Sequence, residues 1–419
     1  MTKSTTSARA RRAAIGVVVA GLLATPLASG TAFAAPPDPS PSATTGSAPA
    51  VPAGFPRLDA ATAARLDAAV ERVRAETGVP GIVVSLSAPG KGEYTRAFGV
   101  ADKATGAAMR TDLYHRIGSV TKTFTVTALL RLVDQGKVGL DDPVGRWVSG
   151  VPNGDRITLR DLADMRSGLF NYSADEGFAK ALMGDPKRSF TPRELLDYAF
   201  AHPVGFAPGA RFEYCNTNTI LLGLVVEKAS GTPLNEYVER EVARPAGLTH
   251  TTFPTDAAFP DPHAQGYTDQ TASGRVETAT DWNPSWGWAA GAMISDLNDL
   301  RTWARVLATG TLLSPRTQAE RLQGRATTEP GATYGLGLFD VDGWIGHNGS
   351  LPGYQTLVLY LPEAKATLVA TLNTDITHDG VAPSTLLGKA VTQVVTPEHV
   401  YDLPRTDAPP AGEPSAGPS

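Results

Sequence analysis

Strand-forming patterns occur near both ends of the chain but are scarce between about residues 140 and 285. Residues 81–87 and 93–100 flank a Pro-Gly-Lys-Gly turn, which predicts an antiparallel hairpin. Toward the other end, further strand patterns cover residues 334–341, 344–347, 354–361 and 366–373. We therefore expect an α+β fold in which strands from both termini form one antiparallel sheet flanked by helices.

Helical patterns account for much of the remaining sequence. Residues 59–76 place apolar side chains at three- and four-residue spacing behind Asp59, a favourable helix cap. Residues 119–135 predict a second helix. Segments such as 191–201 and 218–228 predict helices in the middle of the chain, where loops rich in Gly and Pro separate them. The middle is therefore expected to be mainly helical.

These patterns divide the chain into parts of different character. We expect a signal peptide at 1–34, a disordered linker at 35–53, an α/β region built from 54–130 and 288–397, a mainly helical region at 131–287, and a disordered Pro-rich tail at 398–419. The signal has basic residues, then an apolar run, then Ala32-Phe33-Ala34, so we expect cleavage near Ala34 and secretion. Adjacent Arg11 and Arg12 leave open the general secretory and twin-arginine routes.

Charge and composition narrow the possible partners. The chain of 419 residues has a formal net charge of -5, and removing the four cations of the signal takes it to -9. This charge argues against a nucleic-acid partner or an anionic membrane surface, and we expect no membrane span in the mature chain. The single cysteine, Cys215, excludes an internal disulfide and is interpreted as a small buried residue. The seven histidines form no metal-binding motif, so we expect no metal and no other cofactor.

The sequence Ser119-Val-Thr-Lys122 carries the first chemical signal. On a helix, residues three apart share a face, so the lysine amine can reach the serine hydroxyl. A serine needs an adjacent base, and a desolvated lysine can lose its proton and supply one. The helix N-terminus also provides N–H groups where an oxyanion would form. Alone, so short a motif favours the simpler interpretation of a capped helix that carries a surface lysine.

Two further motifs support a catalytic interpretation. In Tyr214-Cys-Asn216, a tyrosinate or hydrogen-bonded phenol can relay the serine proton, and the asparagine amide can orient the lysine and bind a substrate carbonyl. A His-x-Gly motif occurs twice, at His347 and at His378. We favour His347-Asn-Gly349 because a strongly β-forming run follows it. There, the N–H of Ser350 can complete an oxyanion hole with that of Ser119.

Together, these three motifs resemble the active-site triplet of the penicillin-recognising serine hydrolases. This family includes class C β-lactamases, low-molecular-weight penicillin-binding proteins and related esterases, and the resemblance extends to the secreted D-alanyl-D-alanine carboxypeptidase of actinomycetes. It covers roughly residues 57–395 and includes the stretches 116–124, 166–169, 290–292 and 334–338. It implies a β-lactamase/transpeptidase-like fold, with the active site at the junction of the α/β and helical regions.

The resemblance also implies acyl-enzyme chemistry. The predicted catalytic residues are Ser119, Lys122 and Tyr214, and the predicted substrate-binding residues are Asn216, Trp286, His347, Asn348, Gly349 and Ser350. Trp286 is equally compatible with a core aromatic. The expected substrate is a peptidoglycan stem peptide or another small acyl compound, with β-lactams as acylating ligands.

Three positions depart from the carboxypeptidase pattern. Phe339 stands where that enzyme has an arginine, and Asn348 replaces a threonine, both at positions that hold the substrate carboxylate in the family. Without a bidentate arginine, the carboxylate-binding site loses a positive charge and the two parallel hydrogen bonds that would orient the carboxylate. Met165 stands where relatives often have a histidine. D-alanyl-D-alanine carboxypeptidase-like activity is the leading prediction, and esterase or β-lactamase activity is the alternative.

The motifs also bear on two other classes of protein. A Ser-His-Asp hydrolase is disfavoured because the chain contains no G-x-S-x-G motif. A non-catalytic penicillin-sensing module would share the fold, because a fold does not fix a function. The presence of Ser119, Lys122 and Tyr214 argues against that module.

Overall fold

The structure is a computed structural model that describes residues 54–328 and 330–403. The predicted signal peptide (1–34) and linker (35–53) lie outside the described residues, as does most of the predicted tail (404–419). The described part of the tail packs on the domain. Tyr401 is 1% exposed, and the His399 carbonyl accepts a 2.9 Å hydrogen bond from Trp344 Nε1.

Helices cover much of the described chain. They are α1 (Ala60–Thr77), α2 (Thr121–Asp134), α3 (Leu159–Ala163), α4 (Glu176–Gly184), α5 (Pro192–Phe200), α6 (Asn216–Ser230), α7 (Leu234–Val238), α8 (Trp288–Gly291), α9 (Leu297–Thr309), α10 (Pro315–Arg321) and α11 (Pro383–Val395). The helices predicted at 59–76, 191–201 and 218–228 are confirmed to within two residues. Asp59 caps α1 as expected, since its Oδ1 accepts from Thr62 N at 3.0 Å. The predicted helix at 119–135 begins with a 3₁₀ turn, Gly118–Val120, which leads into α2.

The strands form one large sheet and two small pairs. They are β1 (Gly81–Ala88), β2 (Gly92–Gly99), β3 (His115–Arg116), β4 (Tyr267–Thr268), β5 (Glu277–Thr278), β6 (Ile294–Ser295), β7 (Arg325–Ala326), β8 (Ala332–Tyr334), β9 (Phe339–Val341), β10 (Trp344–Leu351), β11 (Tyr354–Leu361) and β12 (Ala366–Leu372). The eight-stranded sheet has the order β2-β1-β12-β11-β10-β9-β8-β7, and β3-β6 and β4-β5 pair separately.

The large sheet is antiparallel and is built from both ends of the described chain. β1 pairs with β12, so that Ile82 lies opposite Leu372, and β2 forms the predicted hairpin with β1. The expected α+β architecture is therefore confirmed.

One strand prediction is wrong. The sequence predicts a single strand over residues 334–341, but the structure has two short strands, β8 and β9, joined by a turn. Gly337 adopts φ +75°, a left-handed conformation that an extended strand cannot continue. The predicted strand at 344–347 instead continues to Leu351, so β10 includes the His-x-Gly motif.

Helices cover both faces of the sheet. Alternate residues of β1 point to opposite faces: Ile82 and Val84 join the apolar cluster with α1 and α11, whereas Val83 joins the larger cluster that includes α2 and α9. Every residue of β11 and β12 is buried. Burying one such apolar side chain contributes roughly 1.5 to 3 kcal/mol, and β10 and β11 of this buried sheet contact the 3₁₀ turn Gly118–Val120 that leads into α2.

Candidate active site

Ser119 lies in the 3₁₀ turn Gly118–Val120, where the chain enters α2. Its side chain is partly exposed, although most residues of α2 are buried. Gly118 has φ +53°, which a side chain would strain. The turn therefore presents the Ser119 hydroxyl at the surface of a rigid, buried helix.

Two glycines allow this turn to pack directly against β10. A Cβ added to Gly349 would lie 2.0 Å from the Ile117 carbonyl oxygen and 3.2 Å from Ser119 N. A Cβ added to Gly118 would lie 2.8 Å from Ser350 N. The backbone N–H groups of Ser119 and Ser350 are thus neighbours, the arrangement needed for two donors to share one oxyanion.

Lys122 is the group nearest the serine hydroxyl. Its Nζ lies 2.9 Å from Ser119 Oγ and donates a 2.8 Å hydrogen bond to the Ala290 carbonyl. The side chain is fully buried, and this desolvation lowers the pKa of Lys122 from 10.5 to about 7. A neutral amine, able to accept the serine proton, is therefore populated near neutral pH.

Tyr214 lies close to Ser119 and Lys122. Its ring centroid is 5.0 Å from Lys122 Nζ. Burial raises the pKa of Tyr214 above its usual value, and a hydrogen bond with Ser119 opposes that change only in part. The group is therefore a neutral phenol, which can donate and accept a proton, rather than a tyrosinate.

Asn216 is the first residue of α6 and is 7% exposed. Its Nδ2 donates to Ser173 Oγ at 3.0 Å, and its backbone N–H donates to Asn171 Oδ1 at 3.1 Å. Within residues 54–328 and 330–403, the Lys122 amine makes hydrogen bonds to Ser119 and Ala290 but not to Asn216.

His347 lies on β10 and is 1% exposed. Its Nδ1 donates to the Asn348 carbonyl at 2.5 Å, so the other ring nitrogen, Nε2, accepts from the Tyr334 hydroxyl at 3.2 Å. Desolvation, reinforced by the nearby Lys122 charge, lowers the pKa of His347 to about 3. The imidazole is therefore neutral. The alternative, His378, is half-exposed and faces Asp379 at 3.8 Å.

An aromatic cluster adjoins Tyr214 and His347. Phe339 is at its centre, with its ring centroid 4.6 Å from Tyr334, 5.1 Å from His347 and 6.4 Å from Tyr214. Phe212 packs against both Tyr334, at 5.5 Å, and Phe339, at 6.5 Å. The position at which the resemblance expects a carboxylate-binding arginine is thus part of an apolar wall.

Met165 packs behind this wall. It is fully buried and belongs to the same small cluster as Phe212 and Tyr334. Its sulfur accepts a 3.6 Å hydrogen bond from Asn218 Nδ2, and its backbone has φ +62°. Met165 therefore contributes packing at the rear of the wall.

The other predicted substrate-binding residues lie around this centre. Asn348 is partly exposed and Ser350 is exposed on β10. Trp286 is half-buried: its ring lies 6.2 Å from that of Phe178, and its carbonyl accepts a 2.6 Å hydrogen bond from the Tyr172 hydroxyl.

Sequence reasoning missed two partners of the central residues. The Ala290 carbonyl anchors Lys122, and the Tyr334 hydroxyl binds His347. Both positions fall in stretches that carried the family resemblance, but no motif spacing connects them with Lys122 or His347.

A group of possible metal ligands occurs elsewhere, at His250, Asp296 and Asp299, whose ligand atoms lie within 4.8 Å of one another. Protein donors already occupy these carboxylates. Asp296 caps α9 by accepting from Asp299 N at 2.8 Å, and Asp299 accepts from His250 N and Thr251 Oγ1 at 2.7 and 2.8 Å. The group is thus part of the α9 cap.

A protein-family model described as Beta-lactamase matches residues 66–391. The chain belongs to this family. The resemblance to the penicillin-recognising serine hydrolases is confirmed, and other relatives are named penicillin-binding protein and D-alanyl-D-alanine carboxypeptidase. Within the described residues, no helix is both long and apolar enough to cross a membrane.

Individual relatives of this β-lactamase-family chain differ in their named activities. The esterase EstB of Burkholderia gladioli is 36% identical over 225 residues, which is 51% of this chain and 56% of that protein. A D-aminopeptidase of Brucella anthropi is 30% identical over 301 residues, 70% of this chain and 56% of that protein. The chain thus spans little more than half the length of these two relatives.

A solved structure covers more of the chain. The D-stereospecific amidohydrolase from a Streptomyces species superposes with a TM-score of 0.70 at 33% identity, and the match covers 80% of this chain and 98% of that one. The fold and the serine-hydrolase family are thus shared with proteins named for ester and amide hydrolysis.

Proposed function

We propose that this protein is a secreted serine hydrolase that cleaves esters and amides of small acyl-D-amino acids through an acyl-enzyme at Ser119. The observation that carries the proposal is the 2.9 Å contact between Ser119 Oγ and the fully buried amine of Lys122. Such a pair supplies both a nucleophile and a base at neutral pH.

In the proposed acylation step, the neutral Lys122 amine removes the Ser119 proton as Oγ attacks the substrate carbonyl carbon. The N–H groups of Ser119 and Ser350 bind the negative charge that forms on the carbonyl oxygen. Tyr214 then donates its phenolic proton to the leaving group and recovers a proton from Lys122. A water molecule attacks the resulting ester, with the proton transfers reversed, and releases the acid.

The presence of Phe339 favours substrates whose leaving group carries no charge. A terminal carboxylate beside Phe339 and Tyr334 would lose water without gaining a cation, which is unfavourable. An ester alcohol, an amine or ammonia has no such charge. The names of the amidohydrolase, aminopeptidase and esterase relatives agree with this preference.

Carboxypeptidase activity on D-alanyl-D-alanine peptides is the second candidate. It is supported by the three motifs together and by relatives with that name. β-Lactams would acylate Ser119 by the same route. Secretion is proposed from the basic, apolar and small-residue pattern of residues 1–34.

Substrate competition tests the proposed preference. We expect kcat/KM to be higher for an N-acetyl-D-alanine amide than for an N-acetyl-D-alanyl-D-alanine peptide, and Phe339→Arg to reverse the order by restoring a carboxylate anchor. Phe339→Leu is the matched control, since it removes the ring without adding charge. If Phe339→Arg leaves both the ratio and the affinity for the carboxylate unchanged, the argument from Phe339 is wrong.

A further inference from the structure

We infer that Asn171 and Ser173 are positioning residues, which fix the edge of the Asn216 amide that faces the substrate. This inference rests on the proposed function, because it concerns how that same site recognises the acyl half of its substrate. Neither residue belongs to the three motifs. Both lie in the segment between α3 and α4, and both bind Asn216 by hydrogen bonds, Asn171 at its backbone N–H and Ser173 at its side-chain amide.

The hydrogen bonds assign both amide orientations without ambiguity. The backbone N–H of Asn216 can only donate, so the Asn171 atom 3.1 Å away is the oxygen, Oδ1. That oxygen lies 3.1 Å from Ser173 Oγ, so the serine hydroxyl uses its single hydrogen there. Ser173 Oγ must therefore accept from Asn216, and the atom at 3.0 Å is Nδ2.

Burial makes this three-residue ring rigid. Asn171, Ser173 and Asn216 are 3%, 1% and 7% exposed. Water cannot readily replace their bonds, and turning the Asn216 amide over would place its oxygen against the oxygen of Ser173. Asn171 keeps this role even though its own Nδ2 is buried without a partner in the described part of the chain.

The ring leaves one edge of Asn216 for a ligand. Its Oδ1 accepts no hydrogen bond from residues 54–328 or 330–403, and it is not among the fully buried unpaired atoms. One Nδ2 hydrogen is also uncommitted. The free edge thus combines an acceptor and a donor, which complements the N–H and C=O of an acylamino group next to the scissile carbonyl.

Two esters that differ only in this group provide the test. The p-nitrophenyl esters of N-acetyl-D-alanine and of propionic acid share a leaving group and a carbon skeleton, but only the first has an acetamido group. We expect Ser173→Ala to lower the ratio of their kcat/KM values about tenfold, the effect of one well-placed hydrogen bond. Ser173→Cys fills the same position with a slightly larger sulfur atom that is a weak donor and a weak acceptor, so it should lower the ratio in the same direction.

Ser85→Ala is the matched control, because Ser85 is equally buried and its hydroxyl bonds that of Thr95, at 2.8 Å in the β1-β2 hairpin. Its ester ratio should equal that of the parent protein. An unchanged ratio in a folded Ser173→Ala or Ser173→Cys variant, or an equal loss on both esters, would overturn the positioning role alone. A parent protein that hydrolyses neither ester would overturn the proposed function, and this inference with it.

Discussion

The protonation of Lys122 gives a quantitative prediction of pH dependence. Burial lowers the pKa of this amine to about 7, so the base form increases as the pH rises through that value. The neutral fraction is about one-tenth at pH 6 and about nine-tenths at pH 8. We therefore expect kcat/KM for ester hydrolysis to rise about tenfold between these values and then to level off.

The assay is the initial rate of hydrolysis of a p-nitrophenyl ester at low substrate concentration, corrected for spontaneous hydrolysis at each pH. Circular dichroism at each pH checks that the protein stays folded over the range. Lys122→Ala is the companion variant, since it removes the base while the fold stays near intact. It should abolish acylation at every pH.

Two results would refute this reasoning. One is a kcat/KM value that is flat from about pH 5.5 to 8.5, and the other is a value that begins to rise only near the ordinary lysine pKa of 10.5. Either would mean that burial does not lower the lysine pKa in the way that makes the neutral amine the base near pH 7. Full activity in Lys122→Ala would remove the lysine from the mechanism.

Three further substitutions test the geometry. Gly349→Ala puts a Cβ 2.0 Å from the Ile117 carbonyl oxygen, so kcat should fall about 10²- to 10³-fold by steady-state kinetics as the oxyanion donors separate; near-normal kcat would contradict this. Tyr214→Phe should slow acylation about 10²- to 10⁴-fold in stopped-flow burst experiments, and an unchanged burst would exclude the proton relay. Gly223→Ala puts a Cβ 2.7 Å from Ala289 Cβ, so it should move α8 and with it the Ala290 carbonyl that accepts from Lys122. We expect the pH midpoint of kcat/KM to shift as a result, and an identical midpoint would contradict this link between α8 and the lysine.

Much of this site could be predicted because helical geometry connects nearby residues. The three-residue spacing of Ser119 and Lys122 places them on one face of a turn leading into α2, and their atoms lie 2.9 Å apart. The strand-forming residues after His347 correctly indicated β10 rather than the turn at His378. In both cases the residues that determine the position of the side chain are close to it in the sequence.

The missing parts depend on contacts between distant segments. Lys122 is anchored by the carbonyl of Ala290, 168 residues away, and a backbone carbonyl has no signature in a side-chain motif. The Tyr334 bond to His347 arises only because β8, β9 and β10 are adjacent in the sheet. The prediction of a single strand over 334–341 omits the turn at Gly337 and therefore this contact.

The central claim is that Ser119 forms a covalent acyl-enzyme. It is tested most directly by intact-protein and peptide mass spectrometry after rapid quenching with a p-nitrophenyl ester or a β-lactam. The account predicts a mass increase equal to the acyl group, located on the peptide that contains Ser119 and absent from Ser119→Ala. An adduct on another residue, or one that persists in Ser119→Ala, would contradict it.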